Sequence, residues 1–422
     1  MKIDLDVLAI ILQKGWASLS GLITIFFVIR YFNLDEQGFF YLLLALVSAL
    51  MFFDFGINIS TTQIIARMNA EIDLKSVLIK HISAYYHKTK KRLSLYSYIY
   101  ISLICLYFFL YHKNLDITLI QSFFIIIIYS IISIITLQTN LRAAIMDGLG
   151  EVKTVAFYRT ISLVTSSFIL WIGMANNFGF WAFLASQILN TFQFSFLIRN
   201  FKISKLDSNR DDFTTKYISL GTQQLQIALT GLGAYAVLAM PVFVLAGYNE
   251  LELSGKFGMS LQLVGAITGV ALTFLSAKAY VYSGLYAKRN MVELKNFHSQ
   301  RVLYSWIFLI IAILILYVLI INNNEFSLKL QQKLVDTNFW PMIVITIFGI
   351  HYYNTQSPLM QAMGGDSLFI IALIRTFLIF ASFFILHYHH HITFSLTWGY
   401  ILGMTISTFM VFFHVKNKFQ IR

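Results

Sequence analysis

Long apolar runs dominate this chain. Twelve of them recur along its 422 residues, and a hydrocarbon core of about 30 Å takes about 20 apolar residues per helix. The runs cover Val7–Ile29, Phe39–Ile65, Leu93–Tyr111, Ile117–Leu137, Thr154–Met174 and Phe180–Ile198 in the first half. In the second half they cover Ile218–Leu245, Phe257–Leu275, Val302–Ile321, Phe339–Tyr353, Leu368–Leu386 and Thr393–Phe413. Their continuity excludes a β-barrel, whose strands are short and alternate apolar with polar residues. The first run carries Lys14 and lacks a small-residue cleavage site, so it reads as a span and not a cleavable signal. Charged residues make up 12% of the chain, against about 25% in an ordinary soluble domain, too few to cover a water-facing surface. The lone cysteine, Cys105, allows no internal disulfide. The chain is expected to be an all-α, polytopic membrane protein of 12 transmembrane helices.

A net charge of +12 raises the idea of a nucleic-acid partner, but the placement of the basic residues answers it. With the N-terminus inside, 23 Lys and Arg fall in cytoplasmic segments, five in outer loops and three inside spans. Alternation with every second loop follows the positive-inside rule and places both termini in the cytoplasm. No nucleic acid is expected as a partner.

Two echoes divide the chain. Tyr31, Leu34, Asp35 and Gly38 recur as Tyr248, Leu251, Glu252 and Gly255 at an offset of 217. Gly148, Ala156, Arg159 and Thr160 recur as Gly364, Ala372, Arg375 and Thr376 at an offset of 216. An offset spanning six helices keeps the orientation, so the copies are parallel repeats with a substrate path expected between them. This gives two pseudo-symmetric six-helix bundles, residues 1–198 and 217–422, with a polar cytoplasmic linker over 199–216. Gly38 and Gly255 are read as simple turn residues, with a tight helix entry as the alternative.

Ionisable groups within spans are costly and invite functional readings. Lys14 stands 20 residues before Leu34 and Asp54 stands 20 after it, so the two are expected at equal depth on neighbouring helices. They form either a structural ion pair or a cavity anion contact with Asp54 coupling or gating it. Arg159 and Arg375 either snorkel to headgroups or, as repeat equivalents, face a cavity where guanidinium grips phosphate oxygens bidentately. Three buried basic groups against one acid favour an anionic passenger. Pro241 is expected to kink span 7 and is a candidate hinge. Gln187 and Asn190 in span 6, and Gln223, Gln224 and Gln226 at the start of span 7, are amides that bond between helices or line a sugar path. His351 is read as a satisfied packing histidine, with a proton relay as the alternative, and the run His387 to His391 as an exposed polar loop and not a metal site. No G-x-x-x-x-G-K-[ST] loop is present, and Gly148-Leu-Gly150 reads as a loop. No cofactor, metal or catalytic residue is expected.

The stretch Leu34-Asp35-Glu36-Gln37-Gly38-Phe39-Phe40-Tyr41, with Phe53-Asp54-Phe55-Gly56, resembles the first hairpin of bacterial O-antigen repeat-unit flippases (Wzx-type) of the MOP exporter superfamily. Ser254-Gly255-Lys256-Phe257-Gly258-Met259-Ser260-Leu261-Gln262-Leu263 resembles the eighth span of the same group. The resemblance implies a carrier in the cytoplasmic membrane that moves undecaprenyl-pyrophosphate-linked oligosaccharide outward by alternating access. It also implies a cationic central cavity and coupling to H+ or Na+. Here the family's fuller set of cavity charges is reduced to Lys14, Arg159 and Arg375. A multidrug exporter of the same superfamily, relying on buried acids, is the runner-up. A membrane oligosaccharide polymerase ranks lower, because the longest outer loop, Asn322–Asn338, is short.

Overall fold

The computed structural model describes residues 5–54, 56–71, 75–111, 119–199, 221–276, 282, 285–286, 290–321, 325–362, 368–388 and 391–420. Beyond Arg199 the expected linker lies outside the described residues, as do Gly364 of the second echo and His389 and His390 of the histidine run. Every described segment of regular structure is helical. The first ten helices are α1 (Leu5–Tyr31), α2 (Leu34–Phe53), α3 (Ile57–Glu71), α4 (Lys75–Tyr111), α5 (Leu119–Gly148), α6 (Val152–Ala175), α7 (Phe180–Arg199), α8 (Gly221–Leu238), α9 (Met240–Gly247) and α10 (Leu251–Ser276). They are followed by α11 (Met291–Ile321), α12 (Glu325–Lys333), a 3-10 turn at Thr337–Phe339, α13 (Trp340–Ala362), α14 (Phe369–His387) and α15 (Ile392–Gln420).

Among the described residues, eight helices are long and apolar enough to cross a membrane: α1, α4, α5, α6, α10, α11, α14 and α15. The other expected runs are divided or carry amides. The run Phe39–Ile65 is two helices, not one: α2 stops at Phe53 and α3 starts at Ile57, with Asp54 and a Gly56 of φ +69° at the break. That backbone conformation favours glycine. Span 7 is likewise divided at Ala239 between α8 and α9. Pro241 lies just past this break. Lacking an N–H, it cannot bond the Val237 carbonyl one turn back, which accepts from the Tyr400 hydroxyl instead, so the span is interrupted where the proline is expected to disturb it. In α7 the amides Gln187, Asn190 and Gln193 dilute the apolar character, and Asn354 and Gln356 do so in α13.

The helices cluster into two compact units. Unit 1 comprises Met1–Trp16, Leu46–Gly231 and Ala246–Asn249. Its α5 packs against α3, α4 and α7. At Gly148 an added Cβ would lie 2.8 Å from the Thr62 carbonyl oxygen, and the Thr62 hydroxyl donates to the Ala144 carbonyl at 3.1 Å. The α6–α7 hairpin turns through Asn177, at φ +61°, and Gly179, at φ +56°. The buried Tyr100 hydroxyl ties α4 to the Leu46 carbonyl at 2.7 Å.

Unit 2 comprises Ala17–Ala45, Leu232–Leu245 and Glu250–Arg422. Here α10 packs on α11 and α13, and α15 packs on α13 and α14. A reciprocal capping box starts α2: Glu36 N–H donates to Asn33 Oδ1 at 2.8 Å, and Asn33 N–H donates to Glu36 Oε2 at 3.0 Å. That sets Gly38 against α10. A Cβ on Gly255 would lie 2.7 Å from the Gly38 nitrogen. Both glycines are interior to helices, which corrects their reading as turn residues: small residues let helix backbones approach. Around them Gln37, fully buried, donates to the Lys333 carbonyl at 2.9 Å, and the Lys333 ammonium donates to the Phe32 carbonyl.

Candidate functional site

Unit 1 holds a half-open cavity of about 580 Å³ lined from α2, α3, α5, α6, α7 and α8. Its polar groups come from a few sequence positions. The break between α2 and α3 delivers Asp54 and Asn58, the C-terminal end of α5 delivers Asn140 and Asp147, the second turn of α6 delivers Arg159, and α7 delivers Gln187 and Asn190. Amides and charges within membrane helices are stable where they face protein or a wet cavity.

The groups divide into tied and untied. Asp54, 7% exposed, holds the first turn of α3. Its Oδ1 accepts from Asn58 N–H at 3.1 Å and its Oδ2 accepts from Asn58 Nδ2 at 2.8 Å. Thr136 and Thr191 share a hydroxyl bond at 3.3 Å. Among the described residues, by contrast, the side chains of Asn140, Asp147, Gln187 and Asn190 have no hydrogen-bond partner. Arg159 lies with its guanidinium carbon 5.4 Å from the Phe194 ring centre, a cation–π contact. Asp147 is the neighbouring acid whose charge acts on it.

The sequence candidates are thus partly brought together. Arg159 and Asp54 line one cavity. Lys14 lies on α1 in unit 1, exposed, and no ion pair joins it to Asp54, whose oxygens are taken by Asn58. Arg375 belongs to unit 2, on α14, 4% exposed. Its guanidinium carbon stands 4.8 Å over the Tyr353 ring, and its Nε has no hydrogen-bond partner among the described residues. Both repeat-equivalent arginines lie over an aromatic ring, but Arg159 also lines a cavity while Arg375 is buried. His351 is fully buried; its Nε2 lies 3.2 Å from the Ser305 hydroxyl, its ring meets Trp306 edge to face at 4.7 Å, and its Nδ1 has no hydrogen-bond partner among the described residues.

Asp147 is the residue that sequence reasoning missed. It makes the charged set of this cavity two acids and one arginine, where buried basic groups were expected to outnumber acids. The signal was present, since Asp147 closes the long apolar helix α5, but an acid at a helix end reads as a headgroup-level residue.

No protein-family model matches the sequence, and no curated protein matches it. Solved structures do match in fold. The lipid II flippase MurJ, in an inward closed conformation, aligns with a TM-score of 0.62 at 14% identity, covering 96% of this chain and 87% of that one. The MATE multidrug transporter DinF-BH aligns with a TM-score of 0.60 at 14% identity, covering 97% and 94%. A MOP superfamily transporter from Pyrococcus furiosus, described by the reverse polarity of its binding pocket, aligns with a TM-score of 0.59 at 16% identity, covering 98% and 94%. These neighbours are transporters and a flippase, not enzymes. The chain has the fold of the MOP-superfamily transporters.

Proposed function

We propose that this chain is a flippase that moves undecaprenyl-pyrophosphate-linked oligosaccharide repeat units across the bacterial cytoplasmic membrane for surface polysaccharide synthesis, by alternating access. The halves 1–198 and 217–422 form its two six-helix bundles, with twelve spans in all and both termini cytoplasmic. The observation that carries the reading is the unit 1 cavity: one arginine beside two acids, and three amides with no hydrogen-bond partner among the described residues, inside a helical membrane protein. Such groups suit a hydrated, anionic headgroup, while the polyprenyl tail stays in lipid. Arg159 contacts the diphosphate, with Lys14 as a further anion contact in another state of the cycle. Asp54 serves coupling to H+ or Na+, and Pro241, at the α8–α9 break, serves gating. The likeness to a lipid II flippase supports a lipid-linked cargo.

Deletion of the gene, followed by analysis of surface polysaccharide, tests this. The expected result is loss of long-chain surface glycan with accumulation of lipid-linked repeat units. A second reading, a cation-coupled multidrug exporter, is favoured by the two cavity acids, Asp54 and Asp147. It requires intact surface glycan and new drug sensitivity in the same strain.

A further inference from the structure

The unit 1 cavity presents hydrogen-bonding groups of both kinds. An ionised carboxylate only accepts, a guanidinium only donates, and an amide does both. A bare diphosphate, which only accepts, satisfies Arg159 and the amide NH₂ groups but puts negative charge beside Asp147 and Asp54. It leaves the Asp147 carboxylate, half-buried and hydrogen-bonded to no described residue, with only water to accept from. A sugar ring supplies what is missing, because its hydroxyls donate to the carboxylate and accept from the amides. The volume fits as well: about 580 Å³ is within the usual range of about 300–1,000 Å³ for small-molecule sites.

We propose that the cavity is a pyranose subsite, in which Asp147, with Asn140, Gln187 and Asn190, holds the sugar attached to the diphosphate that Arg159 contacts. The inference rests on the flippase reading and deepens it. It makes Asp147 a specificity-determining residue: it accepts from sugar hydroxyls and repels a cargo that offers phosphate alone. A site built to bond a hydroxyl discriminates strongly against a ligand lacking it, because the buried polar group is left unpaired.

The test uses the full-length protein in nanodiscs, with two probes: undecaprenyl pyrophosphate, and the lipid-linked oligosaccharide extracted from the deletion strain. Binding is measured for wild type and for Asp147→Asn, which keeps the shape and removes the charge, with Asp147→Ala as a second variant. The expected result is about a tenfold or greater loss of affinity for the glycan-bearing lipid, with binding of the bare diphosphate lipid unchanged or tighter. Equal weakening for both probes, or unchanged binding of the glycan-bearing lipid, would overturn the subsite while leaving the flippase reading in place. Binding of neither probe by wild type would overturn both. Melting temperatures of the variants, recorded alongside, identify any loss of binding that is merely loss of fold.

Discussion

Gly38 and Gly255, at matching positions of the two sequence echoes, pack against each other where α2 crosses α10: a Cβ on Gly255 would lie 2.7 Å from the nitrogen and 2.8 Å from the Cα of Gly38. The crossing joins the two stretches that resemble the flippase family. Gln37 Nε2 lies 3.6 Å from Met259 Sδ, and a Cβ on Gly258 would strike the Tyr41 ring. The neighbouring atoms at Gly255 are backbone and cannot turn aside. Gly255→Ala is therefore expected to destabilise by about 1–3 kcal/mol, the usual cost of overpacking, seen as a lower melting temperature in detergent. Gly15→Ala is the control. Nothing lies within 4 Å of a Cβ there, so alanine should stabilise by about 0.5–1 kcal/mol.

Lys333 supplies a pH dependence. Burial pushes its ammonium down to about 8 from the ordinary 10.5, with Glu36 opposing the shift. Its folded pKa lies below its unfolded one, so between about pH 8 and 10.5 the unfolded chain binds more protons. Stability contributed by this group rises with pH across that window. Melting curves of wild type and Lys333→Met at closely spaced pH should show a positive wild-type slope, relative to the variant, from pH 8 to 10. A flat or negative difference contradicts the assignment.

The two arginines should respond differently to alanine. Arg159 is partly exposed and lines the cavity. Arg159→Ala is therefore expected to stop glycan export in cells while protein abundance stays at the wild-type level. Arg375 is 4% exposed and stacked on Tyr353, so Arg375→Ala removes a desolvated cation–π contact worth about 2 kcal/mol and lowers the melting temperature. Immunoblots and thermal melts of the two single variants check this; matching behaviour contradicts it.

Asp54 has two separable roles. Through Asn58 it holds the start of α3, so Asp54→Ala should cost about 0.5–2 kcal/mol, as loss of a helix cap does. Asp54→Asn keeps an acceptor and should nearly preserve stability, yet abolish the dependence of transport on a proton or sodium gradient. Transport assayed with and without an imposed gradient checks the coupling role.

Much of this was legible in the sequence, and the failures have physical causes. Apolar runs fix which segments become membrane helices, so α1, α4, α5 and α6 are readable from hydropathy alone. The α2–α3 break was not, because averaging over a long run conceals one Asp and one Gly between two apolar stretches. Charge inside a run singled out Asp54 and Arg159, which line the unit 1 cavity. Equivalence in the repeat did not give Arg375 the same surroundings, because repetition fixes a position along a helix while packing decides what a side chain faces. Lys14 and Asp54 were matched by depth, but depth carries no information on helix rotation. Asp147 escaped because its meaning comes from neighbours on α6 and α7, not from its own segment.

Movement of a glycan lipid across a membrane can be followed in proteoliposomes. Purified protein is reconstituted with the lipid-linked oligosaccharide of the deletion strain, and a membrane-impermeant glycosidase is added outside. Initial digestion removes the outward-facing half of the glycan. The account expects wild-type protein to deliver the remaining half to the enzyme over time, and Arg159→Ala vesicles to retain it. Retention by wild-type vesicles under an imposed ion gradient, at the level of protein-free vesicles, would contradict the account.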